Sequence, residues 1–495
     1  MLLTGILTIS AFLLIARGAT KRERSPILMA TGILLLAGSA IGHFFAYSSL
    51  LPAITALTAE IGVGLFFVAG FLSRHNRPAR PIFFVGSISL AVCVILLGIG
   101  RFSLSTDESH ESVTLLVELG PDDSIDEIEE ILEQFGAGYE RAFPAITLTM
   151  DIDLSQVYIV STTTDNELRL RRALEADVEN VDHVEVNEPV GLYEPISKRS
   201  VDIDIEGVLE NDPLVNRQWA LQAIDAHKAH EYLKTVEPVR KAKVAIIDTG
   251  VDGGHEDIRS VFVSSPGNID VHGHGSHCAG LAGAVTNNAI GIASLNWEGK
   301  YIEVTAYKAL NDQGMGTIES IAQAVLDAVR DDADVISISL GGKSPEAPKT
   351  IADAIRFAIR NDAVVVVSAG NSNEDARYHM PSNVEGVIVV SAVDQELRKA
   401  SFSNTNTSLA RPITAPGVNI LSLQPGGRYI EMSGTSMSTP IVSGLVGVMR
   451  SLNPELNAEQ VYNVLQETGK TLKDSRSIGR MINASSAIEA AVAMR

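Results

Sequence analysis

The chain has 495 residues, a formal net charge of −21 and two cysteines, so it can hold several folding units. Residues 1–101 carry eight Lys/Arg against Glu23 and Glu60, a net +6, which leaves −27 on the remainder. So acidic a remainder argues against nucleic acid as a partner, and Cys93 and Cys278, far apart in sequence, supply neither a disulfide framework nor a four-cysteine zinc site.

Four apolar runs fill the first hundred residues, at about 2–16, 26–51, 53–72 and 81–100. The last three are each long enough to cross roughly 30 Å of hydrocarbon as helices, while the first is marginal. The basic cluster follows the first run, which makes a cleaved signal peptide a poor reading. The turns Arg17–Arg24 and Arg74–Arg80 are basic and the turn near Ser48–Pro52 is uncharged, which places both basic turns on the cytoplasmic side. Residues 1–101 therefore read as a membrane domain of about four transmembrane helices. The chain beyond residue 101 is expected on the outer, periplasmic or extracellular, side of the cytoplasmic membrane. His43 and Glu60 are each about eight residues from the Leu51–Pro52 turn, roughly 13 Å below it on adjacent helices. Such a pair either holds the hairpin by a hydrogen bond or serves transport or sensing.

Residues 112–193 form a second region. VTLLVEL (113–119), QVYIVST (156–162) and VDHVEVNEP (181–189) read as strands, and IDEIEEILEQFG (125–136) and ELRLRRALEAD (167–177) as helices. This is the pattern of a small α+β open-faced sandwich. Polar residues 194–210 read as a linker.

From 211 to 495 strands alternate with helices. KVAIID (243–248), YIEVTAY (301–307), DVISISL (334–340), AVVVVSA (363–369) and GVIVVSAV (386–393) are strands, with helices around 275–285, 317–331, 349–360, 436–451 and 457–468. Apolar strands separated by helices predict a mostly parallel sheet covered on both faces, with the working residues at the carboxyl ends of the strands.

Three motifs fall at such ends or at helix starts. AIIDTG places Asp248 where a buried strand meets a glycine turn, GHGSH places His274 at a helix start, and SGTSMSTP places Ser436 at a helix N-terminus. Nucleophilic catalysis uses this trio: serine attacks, histidine carries its proton, and aspartate orients the imidazole. VVSAGN ends a strand at Asn371, whose amide can donate to an oxyanion, with the Ser436 N–H as second donor. The stretch VHGHGSHCAG also gathers His272, His274, His277 and Cys278, as a metal nest would. No second Cys/His cluster accompanies it, so one base with its neighbours is the stronger reading.

In the order Asp, His, Asn, Ser, with QWAL (218–221), NNAIGIA (287–293), SLGG (339–342), ASFSN (400–404) and APG (415–417), residues 211–470 resemble subtilisin-like serine proteases. The resemblance implies that Asp248, His274 and Ser436 are the triad and Asn371 the oxyanion side chain. It implies that Ser339, Leu340 and Gly341, with Asp312–Gly316 (including Gly314, Met315 and Gly316), are strands that hold an extended protein or peptide substrate. Ser368, Ala369 and Gly370 would wall the pocket for the residue before the scissile bond. A structural Ca²⁺ site would use side chains of Gln218, Asp257 and Asn288 and carbonyls of Thr286, Ile290 and Ile292; no organic cofactor is implied. Cys278 resembles the thiol beside the catalytic histidine in proteinase K-like enzymes. Residues 112–193 resemble in pattern the family's inhibitory, folding-assisting propeptide, with VEVNEPVGLY (184–193) as its tail and a self-cleavage between Tyr193 and Glu194. A permanent spacer domain is the alternative for this region. Ser276 stands where the family has Thr, Ile441 where it has His, and the Asp257–His272 segment is short. The alternatives for the whole chain are a catalytically silent scaffold and a membrane transporter or sensor with an appended protease.

Overall fold

The computed structural model describes residues 112–193, 197–200, 211–263 and 269–495, and all of these belong to one compact unit. The apolar runs, His43, Glu60 and Glu194 lie outside the described residues. Among the described residues no helix is long and apolar enough to cross a membrane.

The N-terminal part is built on strands β1 (Ser112–Leu119), β2 (Gly138–Arg141), β3 (Val157–Thr163) and β4 (Val181–Val186). They form an antiparallel sheet in the order β2-β3-β1-β4. Two helices, α1 (Glu129–Gln134) and α2 (Thr164–Ala176), cover one face. Period-two alternation along β1 divides the labour: Leu115, Val117 and Leu119 meet Leu132, Leu170 and Leu174 under these helices, while Leu116 points the other way. β2 escaped the sequence reading because GYER has no apolar face and is exposed throughout.

The larger part carries a seven-stranded parallel sheet. Its members include β7 (Ala242–Asp248), β8 (Ile302–Lys308), β10 (Val335–Ile338), β12 (Val364–Ser368), β13 (Ile388–Val393), β14 (Pro412–Pro416) and β17 (Arg480–Met481). The order is β8-β7-β10-β12-β13-β14-β17, every pair parallel. The central strands read as nearly unbroken apolar runs because both faces are covered. Val244, Ile246, Val364 and Val366 pack with α3 (His274–Gly283) and α6 (Thr435–Leu452). Ala245, Ile247, Val365 and Val367 pack with α4 (Ile318–Arg330) and α5 (Lys349–Arg360).

The open face of the small sheet is closed by the large domain. Leu116, Phe143, Ile146, Leu154 and Val157 join one apolar cluster with Ile318, Ile321, Ile351 and Ile355 of α4 and α5. At the same seam, Glu185 of β4 accepts the Lys349 and Thr350 backbone N–H groups at the start of α5 (both 2.9 Å). Asn187 accepts the Glu319 N–H (3.0 Å) and the Glu188 carbonyl the Ile318 N–H (3.2 Å) at the start of α4. One domain thus satisfies the orphan donors at both helix starts of the other. Lys349 closes the seam on Glu118 at 2.6 Å, and Arg360 meets Asp151.

Beyond β4 the chain makes two further strands, β5 (Pro189–Leu192) and β6 (Ser197–Ser200), the second inside the stretch read as linker. β5 lies between β9 (Met315–Thr317) and β11 (Leu340–Lys343), antiparallel to both. β6 joins a hairpin of β15 (Ile420–Gln424) and β16 (Arg428–Ser433) as its third strand, on β16.

Candidate active site

Three elements meet at the carboxyl end of the sheet. β7 ends on Asp248, α3 begins with His274, and Ser436 is the second residue of α6. His274 Nδ1 lies 2.8 and 2.9 Å from the two Asp248 carboxylate oxygens, and all three side chains are buried. The approach is tight: a Cβ on Gly275 would meet the Gly250 carbonyl at 2.0 Å, so only glycine lets α3 start this close to β7. Asp270 bonds Thr249 Oγ1, the Gly273 N–H and both the N–H and hydroxyl of Ser276. It thereby ties the start of α3 to the end of β7, and Ser276 fills its position through its hydroxyl.

Burial opposes charge on His274, but the facing Asp248 carboxylate outweighs it, so the imidazole is held well above its usual pKa. Its Nε2 has no hydrogen-bond partner among the described residues. The Ser436 hydroxyl donates to the Ser339 carbonyl at 3.1 Å, so the nucleophile-to-base bond is not made with the cleft filled. Pro440, four residues into the helix from Ser436, has no N–H to give the Ser436 carbonyl. That carbonyl accepts instead from Ser339 Oγ (3.0 Å) and Cys278 Sγ (3.5 Å). Burial pushes the Cys278 thiol up, which suits a neutral packing group.

The metal-nest alternative loses its geometry. His277 Nε2 is spent on the Ile420 and Ile430 carbonyls (3.0 and 3.2 Å). Asp248, His274 and Cys278 do converge, but Nδ1, the imidazole atom facing both, already carries the Asp248 bond.

The cleft is filled by the chain itself. Gly191 pairs with Met315 on one side and Gly341 on the other, and Leu192 N–H bonds the Gly314 carbonyl at 3.1 Å. The segments expected to hold substrate are thus brought together on 189–192, although 312–314 is turn and the strand is Met315–Thr317. Tyr193 follows with its carbonyl 3.5 Å from Asn371 Nδ2. The Asn371 amide is oriented because its oxygen accepts both the N–H and hydroxyl of Thr435 (2.9 Å each). The Tyr193 side chain is buried against Gly341 and donates to the Met380 carbonyl at 3.2 Å. Ser368 ends strand β12, Ala369 and Gly370 follow it, and Gly370 adopts φ +100°. His379, buried and bonded to Glu374 (3.3 Å), stands 6.1 Å from the Tyr193 ring. The sequence reading missed His379 because it follows a polar loop with no periodicity.

The expected calcium ligands also gather. Asp257 is buried and bonded by neutral groups: Asn288 Nδ2 (2.9 Å), Ile292 N–H (2.8 Å) and Tyr429 hydroxyl (3.4 Å). Burial raises its pKa to about 7, and the nearby Asp212 carboxylate adds to the rise. Such a buried acid fits a divalent cation in charge and in donor type. Asn288 Oδ1 accepts the Ile290 N–H (2.7 Å), Gln218 Oε1 the Ala293 N–H (2.7 Å) and the Thr286 carbonyl the Glu298 N–H (2.9 Å), so ligation requires rearrangement here. Asp212 was missed: it holds the Asn287 and Asn288 N–H groups from 75 and 76 residues away (2.8 and 3.0 Å).

A buried Asp–His pair, a serine at a helix start and an amide aimed at a cleft carbonyl, on a parallel α/β sheet, define a serine peptidase by chemistry. The Subtilase family model matches residues 240–480. The thermophilic serine proteinase of Bacillus sp. (strain AK1) is 38% identical over 246 residues, covering 47% of this chain and 59% of that one. Subtilisin DY of Bacillus licheniformis is 36% identical over 258 residues, covering 50% of this chain and 90% of its own length. The crystal structure of fervidolysin from Fervidobacterium pennivorans shares the fold over 77% of this chain and 62% of that one, with TM-score 0.62 and 22% identity. The chain belongs to the subtilase family and is a serine endopeptidase.

Proposed function

We propose that the chain is a membrane-held, self-processing zymogen whose residues 211–495 hydrolyse protein substrates laid in the cleft as extended strands. The observation that carries this is β5, paired on both sides and delivering the Tyr193 carbonyl to Asn371 beside Ser436.

Ser436 Oγ attacks the carbonyl while His274 Nε2 takes its proton, and Asp248 stabilises the imidazolium that forms. Asn371 Nδ2, with the Ser436 N–H, receives the charge on the carbonyl oxygen. His274 then protonates the departing amide nitrogen, leaving an acyl-enzyme on Ser436 that water resolves by the same route in reverse. The pocket that holds Tyr193 selects an aromatic residue before the scissile bond, and Ser368, Ala369 and Gly370 form its wall.

Residues 112–193 are the inhibitory propeptide, and cleavage between Tyr193 and Glu194 cuts the covalent tie to residues 1–101. The catalytic part is then shed on the outer side of the membrane, or retained only by docking through Glu185 and Asn187. Gln218, Asp257, Thr286, Asn288, Ile290 and Ile292 would hold calcium, which supplies the positive charge that buried Asp257 calls for.

The test is expression of wild type and Ser436→Ala side by side. Wild type is expected as two fragments, the smaller N-terminal one ending at Tyr193, and Ser436→Ala as one full-length band. Two full-length bands would overturn self-processing, and failure of wild type to take a fluorophosphonate label at Ser436 would overturn the catalytic reading.

A further inference from the structure

The chain is strand-paired on both sides of the bond after Tyr193, by β5 before it and by β6 beyond it, and β6 has no part in the chemistry of the triad. Three residues separate Tyr193 from β6, whose Ser197–Ser200 lie antiparallel on β16. Ser197 pairs with Ser433, Lys198 with Met432, Arg199 with Glu431 and Ser200 with Ile430. β16 leads directly into the turn that presents Ser436, three residues beyond Ser433. Its inner neighbour is β15, so without β6 its outer edge would be a row of unpaired backbone groups.

We infer that this outer edge of β16 is a binding strand for the polypeptide on the C-terminal side of the scissile bond. It takes an extended segment at the fourth to seventh positions beyond the cut, and Glu431 selects a basic residue at the sixth. The inference rests on the reading that the chain cuts itself after Tyr193. Backbone pairing to a sheet edge gives affinity with little sequence preference, and directly opposed side chains then add the preference. Glu431 is the charged side chain of β16 in that register, opposite exposed Arg199. Its side chain is only 15% exposed and its carboxylate lies 3.5 Å from Arg217, so it already serves as a cation acceptor at this edge. The sequence SKRS, with no apolar alternation, has nothing to make it a strand by itself. Its partner supplies the reason it is one.

The geometry has a kinetic meaning. β5 fixes the chain before the bond and β6 fixes it after, so the carbonyl between them is held from two directions. A segment anchored on one side only leaves the scissile bond free to swing.

Two experiments on the full-length chain test this. In Ser436→Ala, which cannot cut, Arg199→Cys with Glu431→Cys is expected to form an intramolecular disulfide under mild oxidation. Arg199→Cys with Arg428→Cys, three positions out of register, is expected to stay reduced. With Ser436 intact, Arg199→Glu or Glu431→Arg alone is expected to slow self-cleavage about three- to tenfold, and the two together to recover most of the wild-type rate. Failure of the in-register pair to cross-link would overturn the docking edge whatever the cleavage result. A cross-link with unchanged rates in the single variants would overturn the selection by Glu431. If wild type stays uncut while the cross-link forms, self-processing falls and the docking edge stands.

Discussion

Two buried aspartates, nine residues apart in sequence, show how the same group serves opposite ends. Asp248 has a partner that can take a charge: His274 Nδ1 at 2.8 Å, with the Thr249 N–H as a further donor at 2.8 Å. Among the described residues Asp257 has neutral donors and a second carboxylate nearby, and burial raises its pKa to about 7. A desolvated carboxylate facing an imidazole makes a base, whereas one without a cation makes a demand for one. In the function proposed above the first arrangement acts in every turnover, and the second would be satisfied once, by an ion.

Breaking the first arrangement has the largest expected effect. Asp248→Asn leaves shape and packing in place but gives His274 Nδ1 the wrong partner, so kcat is expected to fall about 10⁴-fold. Melting temperature is expected to change little; a loss of folding instead would mean that Asp248 acts mainly as a structural anchor. Next comes Asn371→Ala. It removes one donor from the oxyanion position and is expected to lower kcat about 10²–10³-fold with KM nearly unchanged. A comparable loss in KM would reassign Asn371 to holding substrate in its ground state.

The second arrangement is sharpened by Asp257→Asn. Wild type is expected to melt about 5–10 °C higher at calcium a hundredfold above its Kd, and the variant to show no such response. Activity at low temperature is expected to persist in the variant, because Asp257 touches none of the reacting groups. An equal calcium response in both proteins would place the ion elsewhere.

The sequence made the triad legible because each member sits at the end of a regular element, where a strand or helix signal and a glycine turn coincide. The two-sided burial of the parallel sheet was legible for a similar reason: its central strands, such as VVVVS (364–368) and IVVSAV (388–393), are apolar on both faces. β2 and β6 were not, since both are polar and become strands only because an edge is waiting for them. Glu185 and Asn187 read as ordinary polar residues of a last extended segment. Their role depends on two helix starts more than 130 residues away in sequence, which local pattern does not report. Asp212 was hidden in the same way, because its partners are backbone groups of a distant loop.

The smallest expected effect concerns the seam between the two domains. Burial works against charge on Glu185, but hydrogen bonds from His183, Thr350 and Lys349 outweigh it, so its pKa is lowered when docked. His183 is correspondingly raised, chiefly by its bond to Glu185. For an acid whose docked pKa is depressed, the contribution is present above the free value and lost as pH falls through the docked one. Docking of the cleaved N-terminal fragment on the catalytic part is therefore expected to hold at neutral pH and to weaken below roughly pH 4, the ordinary range of a glutamate. Glu185→Gln keeps the shape and one acceptor oxygen but removes the charge facing the start of α5. At pH 7 it is expected to raise the dissociation constant of the processed pair about fivefold, the size of a helix-start contact of about 1 kcal/mol. Co-elution of the two fragments across a pH series checks both statements. The variant is expected to lose the acid-dependent part of the release while wild type keeps it. An identical pH profile in the two proteins would move the acid sensitivity of the seam away from Glu185.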